Sequence, residues 1–217
     1  MEKIIVIGSS GHAMVVIDII EKEQRFEIIG LTDPFKQPET EVLGYKILGG
    51  QRDIPQLINK FGINGAIIAI GDNWNRYLVF DEIRQCCPGL KFVNGVHPFS
   101  HIGRKVSIGD GSVIMPGAVI NNGTKIGRFC IVNTAASIDH ECVLEDFSTV
   151  APGATLGGGV KVGKHSTISL GAKVIDKITI AEHVVVGAGA VVIKNIPERV
   201  VAYGSPARVI RKRIVGE

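Results

Sequence analysis

Hydrophobic and polar positions follow one rhythm over residues 3–94 and another from residue 102 onward. In the first stretch, short β-branched runs alternate with segments of helical spacing. KIIVIG (3–8) is an apolar run ending in glycine and predicts a strand. GHAMVVIDIIEKEQ (11–24) places Met14, Ile17 and Ile20 three apart, one face of a helix. FEIIGLTD (26–33) predicts a second strand. After a loop, the pattern predicts a helix over 54–62, a buried strand over 64–73, a helix over 76–87 and a last strand over 90–94. Such alternation predicts a parallel sheet with right-handed crossovers, an α/β Rossmann-like domain.

From Ile102, every sixth residue is Ile, Val or Leu, through Ile108, Ile114, Ile120 and onward to Val192 without a break. The position four later, from Val106 through Ala118, Cys130, Cys142 and Ala154 to Ala190, admits no charged or aromatic residue. This hexapeptide repeat predicts a solenoid of short strands. Residue i+4 and the next i are two apart on one strand, so both point inward. Three hexapeptides per turn give a triangular coil of 18 residues, and the repeat fills about five coils stacked at roughly 4.8 Å each. The predicted organisation is an α/β domain over 1–98 and an all-β parallel β-helix with a C-terminal tail over 99–217. In this register Cys130 and Cys142 are packing residues.

Composition narrows the picture. With aromatics at 6% and 27 glycines, the core must be aliphatic and the turns tight. A net charge of +3 is too weak a bias to predict nucleic-acid binding. The basic cluster Arg208, Arg211, Lys212 and Arg213 reads either as a solvated end or as a site for one phosphorylated ligand. No apolar run is long enough for a bilayer, and the first residues read as a strand and turn rather than a signal peptide, so no membrane partner is expected. Four cysteines without a CxxC pair argue against a zinc site and fit a reducing cytoplasm.

Candidate chemistry concentrates at NTAASIDHEC (133–142). His140 is the second residue after Ile138, a corner position, so its ring is expected to face out of the prism. One coil away on either side stand Asn122 and Gly158, the latter within Gly157–Gly159, a bare surface against which a ligand chain can lie. A neutral histidine is the usual general base near pH 7. Either Asp139 or Glu141 is placed to fix its tautomer. His101, His165 and His183 read as surface residues. In the α/β half, Gly8, Ser9, Ser10, Gly11 and His12 form the first strand–helix turn, where helix N–H groups are open to phosphate. Asp33 ends the second strand, where an acid meets ribose hydroxyls, and Gly71, Asp72 and Asn73 end a third at the same edge of the sheet. The turn holds only two glycines of the G-x-G-x-x-G pattern.

The unbroken hexapeptides, the DHEC segment and the tail GSPARVIRKR resemble the left-handed β-helix acyltransferases. GSSGHA, LTD, AIGDN and VNGVHP, in the first half and at the junction, are similar to segments of NeuD/PglD-like sugar acetyltransferases. The resemblance covers essentially the whole chain. It implies a left-handed coil, a homotrimer with active sites between adjacent β-helices, acetyl-CoA as co-substrate without a metal, and a nucleotide-sugar partner. It implies His140 as catalytic base with Glu141 as its acid, and Gly158 with its N–H toward acetyl-CoA. Thr149 stands where some members carry a second histidine that contacts the acetyl group, and Arg208 or Arg211 is placed for the coenzyme phosphates. The expected activity is transfer of acetyl to the amine of a nucleotide-linked amino sugar, in surface-polysaccharide or protein-glycan synthesis. Two alternatives are an O-acetyltransferase acting on sialic acid or another sugar hydroxyl, and a non-catalytic trimeric scaffold. A serine acetyltransferase is disfavoured because the first half is α/β.

Overall fold

A computed structural model describes residues 1–214 and residue 216. The chain divides into two compact units, Met1–Pro98 and Phe99–Glu217.

The first unit is built on β1 (Glu2–Ile7), α1 (Gly11–Glu23), β2 (Phe26–Thr32), β3 (Glu41–Val42), β4 (Tyr45–Gly49), α2 (Ile54–Phe61), β5 (Gly65–Ile68), α3 (Asn73–Cys86) and β6 (Lys91–Phe92). The sheet order is β3-β4-β2-β1-β5-β6, parallel except for the β3–β4 pair. Ile4, Ile5, Val6 and Ile7 are wholly buried, as a strand covered on both faces requires. Strand order reverses between β1 and β5, so the tips of these two strands open the crevice typical of doubly wound sheets.

Three details depart from the sequence pattern. The stretch after β2 is not merely a loop, because it pairs as β3 and β4 and extends the sheet. Met14 lies on the exposed side of α1, whose buried face is Ala13, Val16, Ile17, Ile19 and Ile20. β5 ends at Ile68 and α3 starts at Asn73, because Asp72 caps the helix by accepting from the Asn75 N–H at 2.8 Å.

The second unit is a left-handed parallel β-helix of two-residue strands. One face stacks Val113–Ile114, Ile131–Val132, Thr149–Val150, Thr167–Ile168 and Val185–Val186. The second runs from His101–Ile102 through Ser137–Ile138 to Val191–Val192, and the third from Ser107–Ile108 through Val143–Leu144 to Thr179–Ile180. Every partner is 18 residues away. An antiparallel hairpin, Val200–Gly204 with Ala207–Lys212, extends the first face.

Inward columns are buried, except at the first coil, where Ile102 is exposed and Val106 and Ile108 are only partly covered. Buried hydroxyls in the column tie coils together: Thr124 Oγ1 donates to the Asp139 carbonyl and accepts from the Cys142 N–H. Cys130 and Cys142 are fully buried there. At each corner one residue has φ near +60°, recurring every six residues from Lys105 through Glu141 and His165 to Gly189. His165 and His183 are only half-exposed and stack face to face, continuing a column from Phe129 and Phe147. They belong to a packed ladder rather than a plain surface. No helix among the described residues is long and apolar enough to cross a membrane.

Candidate active site

His140 sits at the corner between the strands Ser137–Ile138 and Val143–Leu144, and its side chain is 60% exposed. The two neighbouring acids do different things. Asp139 turns back on the coil, where its Oδ1 accepts from Asn121 Nδ2 at 3.0 Å and from the His140 N–H at 2.7 Å. The Asn121 bond, with the His140 N–H, holds its carboxyl below the usual carboxylate range. Glu141 instead places Oε2 3.2 Å from His140 Nδ1. A carboxylate there favours the tautomer with the proton on Nδ1 and leaves Nε2 as the acceptor.

The imidazole lies against the next coil at Gly158. A Cβ built on that glycine would stand 2.7 Å from both Cε1 and Nε2 of His140. The Gly158 carbonyl accepts from the Lys177 N–H and the Gly159 N–H is used by the His140 carbonyl, each at 2.8 Å. The Gly158 N–H itself donates to no protein acceptor among the described residues. A base nitrogen, an acid behind it and an uncommitted backbone donor therefore meet at one exposed corner.

Thr149 and Arg208 are elsewhere. Thr149 is buried on the first face, opposite the corner that carries His140. Arg208 is exposed in the hairpin that extends that same face, and its Nη1 donates to the carbonyl of Ala207, at 3.1 Å. One chain thus separates these two residues from His140 and Gly158.

In the α/β unit, the tips of β1 and β2 carry a second site. Gly8 has φ +108°, and any Cβ there would lie 2.8 Å from the Ala69 carbonyl, so only glycine permits this approach. Ser9 is buried and its hydroxyl donates to Asp33 Oδ2. Asp33 Oδ1 accepts from the Phe35 N–H, and Lys36 Nζ donates to the Ser9 carbonyl. Ser10 precedes α1 without a side-chain cap, and no acid occupies the first turn, so the helix N-terminus keeps its preference for an anion. A cavity of about 480 Å³ opens here, lined by Gly8, Ser9, Ser10 and Asp33.

Gly71, Asp72 and Asn73 do not line that cavity. Asp72 is occupied as the α3 cap, and buried Asn73 accepts from Arg76 Nη2 at 2.8 Å. Arg76, almost wholly buried, also donates to the carbonyls of Ile70 and Gly71. Gly11 is exposed and His12 lies behind the turn, beside Gly71. Burial, and then the charge of Arg76, push the His12 pKa down to about 4, and its Nε2 is buried without a hydrogen-bond partner among the described residues.

The cavity wall also holds residues that sequence reasoning missed: Phe35, Gln51, Asn75, Leu78 and Glu82. Three of these, Asn75, Leu78 and Glu82, follow helical spacing on α3, and of them only Asn75 falls outside a helix started at residue 76. Among the described residues, no group of three or more His, Cys, Asp or Glu is placed to hold a metal ion.

An α/β unit followed by a hexapeptide β-helix with an outward histidine at a coil corner defines a β-helix acyltransferase of the sugar-modifying class. Residues 3–83 match the PglD N-terminal domain. The chain is 33% identical to a GDP-perosamine N-acetyltransferase from Caulobacter crescentus, over 98% of each chain with a TM-score of 0.91; that structure is a histidine-to-alanine mutant in complex with CoA and GDP-perosamine. It is 32% identical to the acetyltransferase domain of PglB from Neisseria gonorrhoeae, solved with acetyl coenzyme A, over 96% of this chain and 99% of that one with a TM-score of 0.87. WeeI from Acinetobacter baumannii, 23% identical over 97% and 100% with a TM-score of 0.71, shares the fold. The chain belongs to the NeuD/PglD-like family of sugar acetyltransferases.

Proposed function

We propose that the protein transfers an acetyl group from acetyl-CoA to the amine of a nucleotide-linked amino sugar. The observation that carries this reading is the juxtaposition of the His140 imidazole, Glu141 and the bare backbone of Gly158. The sugar amine attacks the thioester carbonyl while His140 Nε2 takes its proton. The carbonyl oxygen gains charge beside the Gly158 N–H, which is free to stabilise it. The C–S bond then breaks, and His140 returns the proton to the departing coenzyme thiolate. The two inward cysteines are sealed in the coil, so the scheme has no acyl-enzyme step.

The β-helix supplies this chemistry and the α/β unit holds the nucleotide. Gly8, Ser9 and Ser10 bring backbone N–H groups and a helix N-terminus to the diphosphate, and Asp33 accepts from ribose hydroxyls. The similar enzyme from Caulobacter crescentus was solved with GDP-perosamine and CoA, a ligand pair that fits this division. Separation of Thr149 and Arg208 from His140 within one chain supports a homotrimer, in which a neighbouring copy would supply that face.

The deciding experiment is a thiol-release assay with acetyl-CoA against matched amino and hydroxyl nucleotide sugars. Release with the amino sugar alone supports the reading, and release with hydroxyl sugars only overturns it. His140→Ala should lower turnover by about 10²-fold or more without altering assembly. Near-normal turnover removes the histidine from the mechanism.

A further inference from the structure

The cavity beside Gly8 has a distinct far wall. Asn75, Leu78, Val79 and Glu82 recur at i, i+3, i+4 and i+7, so α3 turns one continuous stripe toward it. Leu78 and Phe35 are large apolar side chains, 47% and 95% exposed, both on this cavity and with little else to cover them. Planar rings pack well on such surfaces, but that contact accepts every base alike. Discrimination then falls to the polar groups at the edge.

Gln51 and Asn75 are polar groups of the wall, and the charged ones at this end are Glu82 and, next to it, Arg52. Arg52 Nε stands 4.0 Å from Glu82 Oε1, and the two side chains are 95% and 49% exposed. A pair so long and so wet contributes little by itself, so both groups remain open to a ligand. The carboxylate only accepts and the guanidinium only donates.

Resting on the nucleotide reading above, we infer that Glu82 and Arg52 select guanine. Guanine presents N1–H and N2–H side by side, one for each carboxylate oxygen, with O6 adjoining them for the guanidinium. Uracil and thymine present one N–H between two carbonyls, so a carbonyl oxygen would face the carboxylate. Adenine offers one amino donor beside an acceptor nitrogen, leaving the second carboxylate oxygen unmatched. Only guanine satisfies a fork of two acceptors beside a donor. The nucleotide is therefore a GDP-sugar, and Glu82 is the specificity-determining residue.

Calorimetric titration of the full chain with GDP, UDP, dTDP and ADP, in parallel with E82Q, tests this. GDP should bind at least about fivefold tighter than the others, the low end of what a bidentate base contact contributes. E82Q should bring GDP to within about threefold of UDP, by weakening GDP and by leaving UDP equal or tighter, since the amide N–H can meet the uracil carbonyl that the carboxylate repels. Equal binding of all four, a preference for another base, or a GDP preference that survives E82Q overturns the assignment to Glu82 but leaves a nucleotide site standing. Failure of all four to bind removes both readings.

Discussion

The ring of His140 rests on the α-carbon of Gly158, eighteen residues along the chain and one coil away, at a separation that leaves no room for a methyl group. This contact converts a sequence interval into a catalytic distance. Gly158→Ala should therefore act on chemistry rather than on folding. Position 158 does not need a left-handed backbone, so the fold should tolerate alanine, but the added carbon must push the imidazole aside. Steady-state kinetics should show kcat reduced roughly tenfold or more, a loss typical of a misplaced base. An unchanged thermal midpoint together with the reduced kcat would support the geometry, and an unchanged kcat would refute it.

Glu141 combines two opposed roles. It bears the carboxylate behind His140 and holds φ +57°, a conformation that costs a non-glycine residue about 1–2 kcal/mol. Glu141→Gly should leave stability unchanged or slightly higher, because the relief of strain is partly offset by the greater freedom of unfolded glycine. The same substitution should lower kcat, though less than His140→Ala, since both partners of the pair are well exposed. Denaturant titration and kinetics on the two variants check the ordering.

Stability should fall in mild acid through His12. Its folded pKa of about 4 lies below the ordinary 6.5, so the unfolded chain binds more protons between those values. Folding free energy from this group is therefore complete above pH 6.5 and is lost as pH falls toward 4. The interval corresponds to about 3 kcal/mol. Urea midpoints compared at neutral and acid pH should differ less in His12→Gln than in the unaltered chain. Equal losses in both would show that the ring is not buried uncharged.

The buried hydroxyls of the coil interior give a fourth expectation. Ser166 Oγ donates to the Ala181 carbonyl at 2.7 Å and accepts from the Val184 N–H at 2.9 Å, fully removed from water. Ser166→Ala leaves that N–H without its acceptor and should cost about 1–3 kcal/mol in chemical denaturation. A smaller loss would mean that the coil relaxes to satisfy the amide.

The β-helix was legible because its periodicity is covalent arithmetic: a column of Ile, Val and Leu every six residues can be buried in one way, and the outward position of His140 follows from it. The left-handed corner column escaped notice because Phe129, Glu141, Phe147 and His165 share a backbone conformation without sharing a side-chain type. The paired aromatics and histidines along that edge went unseen for the same reason. In the α/β unit, Gly8, Ser9 and Asp33 were readable from strand ends, whereas Asp72 and Asn73 looked like ligand contacts because capping and Arg76 burial are tertiary facts. Glu82 reads in sequence as one solvated carboxylate among others on its helix, because only tertiary packing turns its face toward the cavity.

Register also limits how such a molecule lengthens or shortens over generations. Inserting or deleting a whole coil beyond Gly159 or before Asn121 would preserve the trio of Asn122, His140 and Gly158, because each keeps its stacked neighbour. The same change between them would graft a foreign residue onto the imidazole while leaving the prism intact. Loss of activity without loss of shape is thus the expected fate of indels inside that window, and drift in overall length should be confined to the solenoid's two ends.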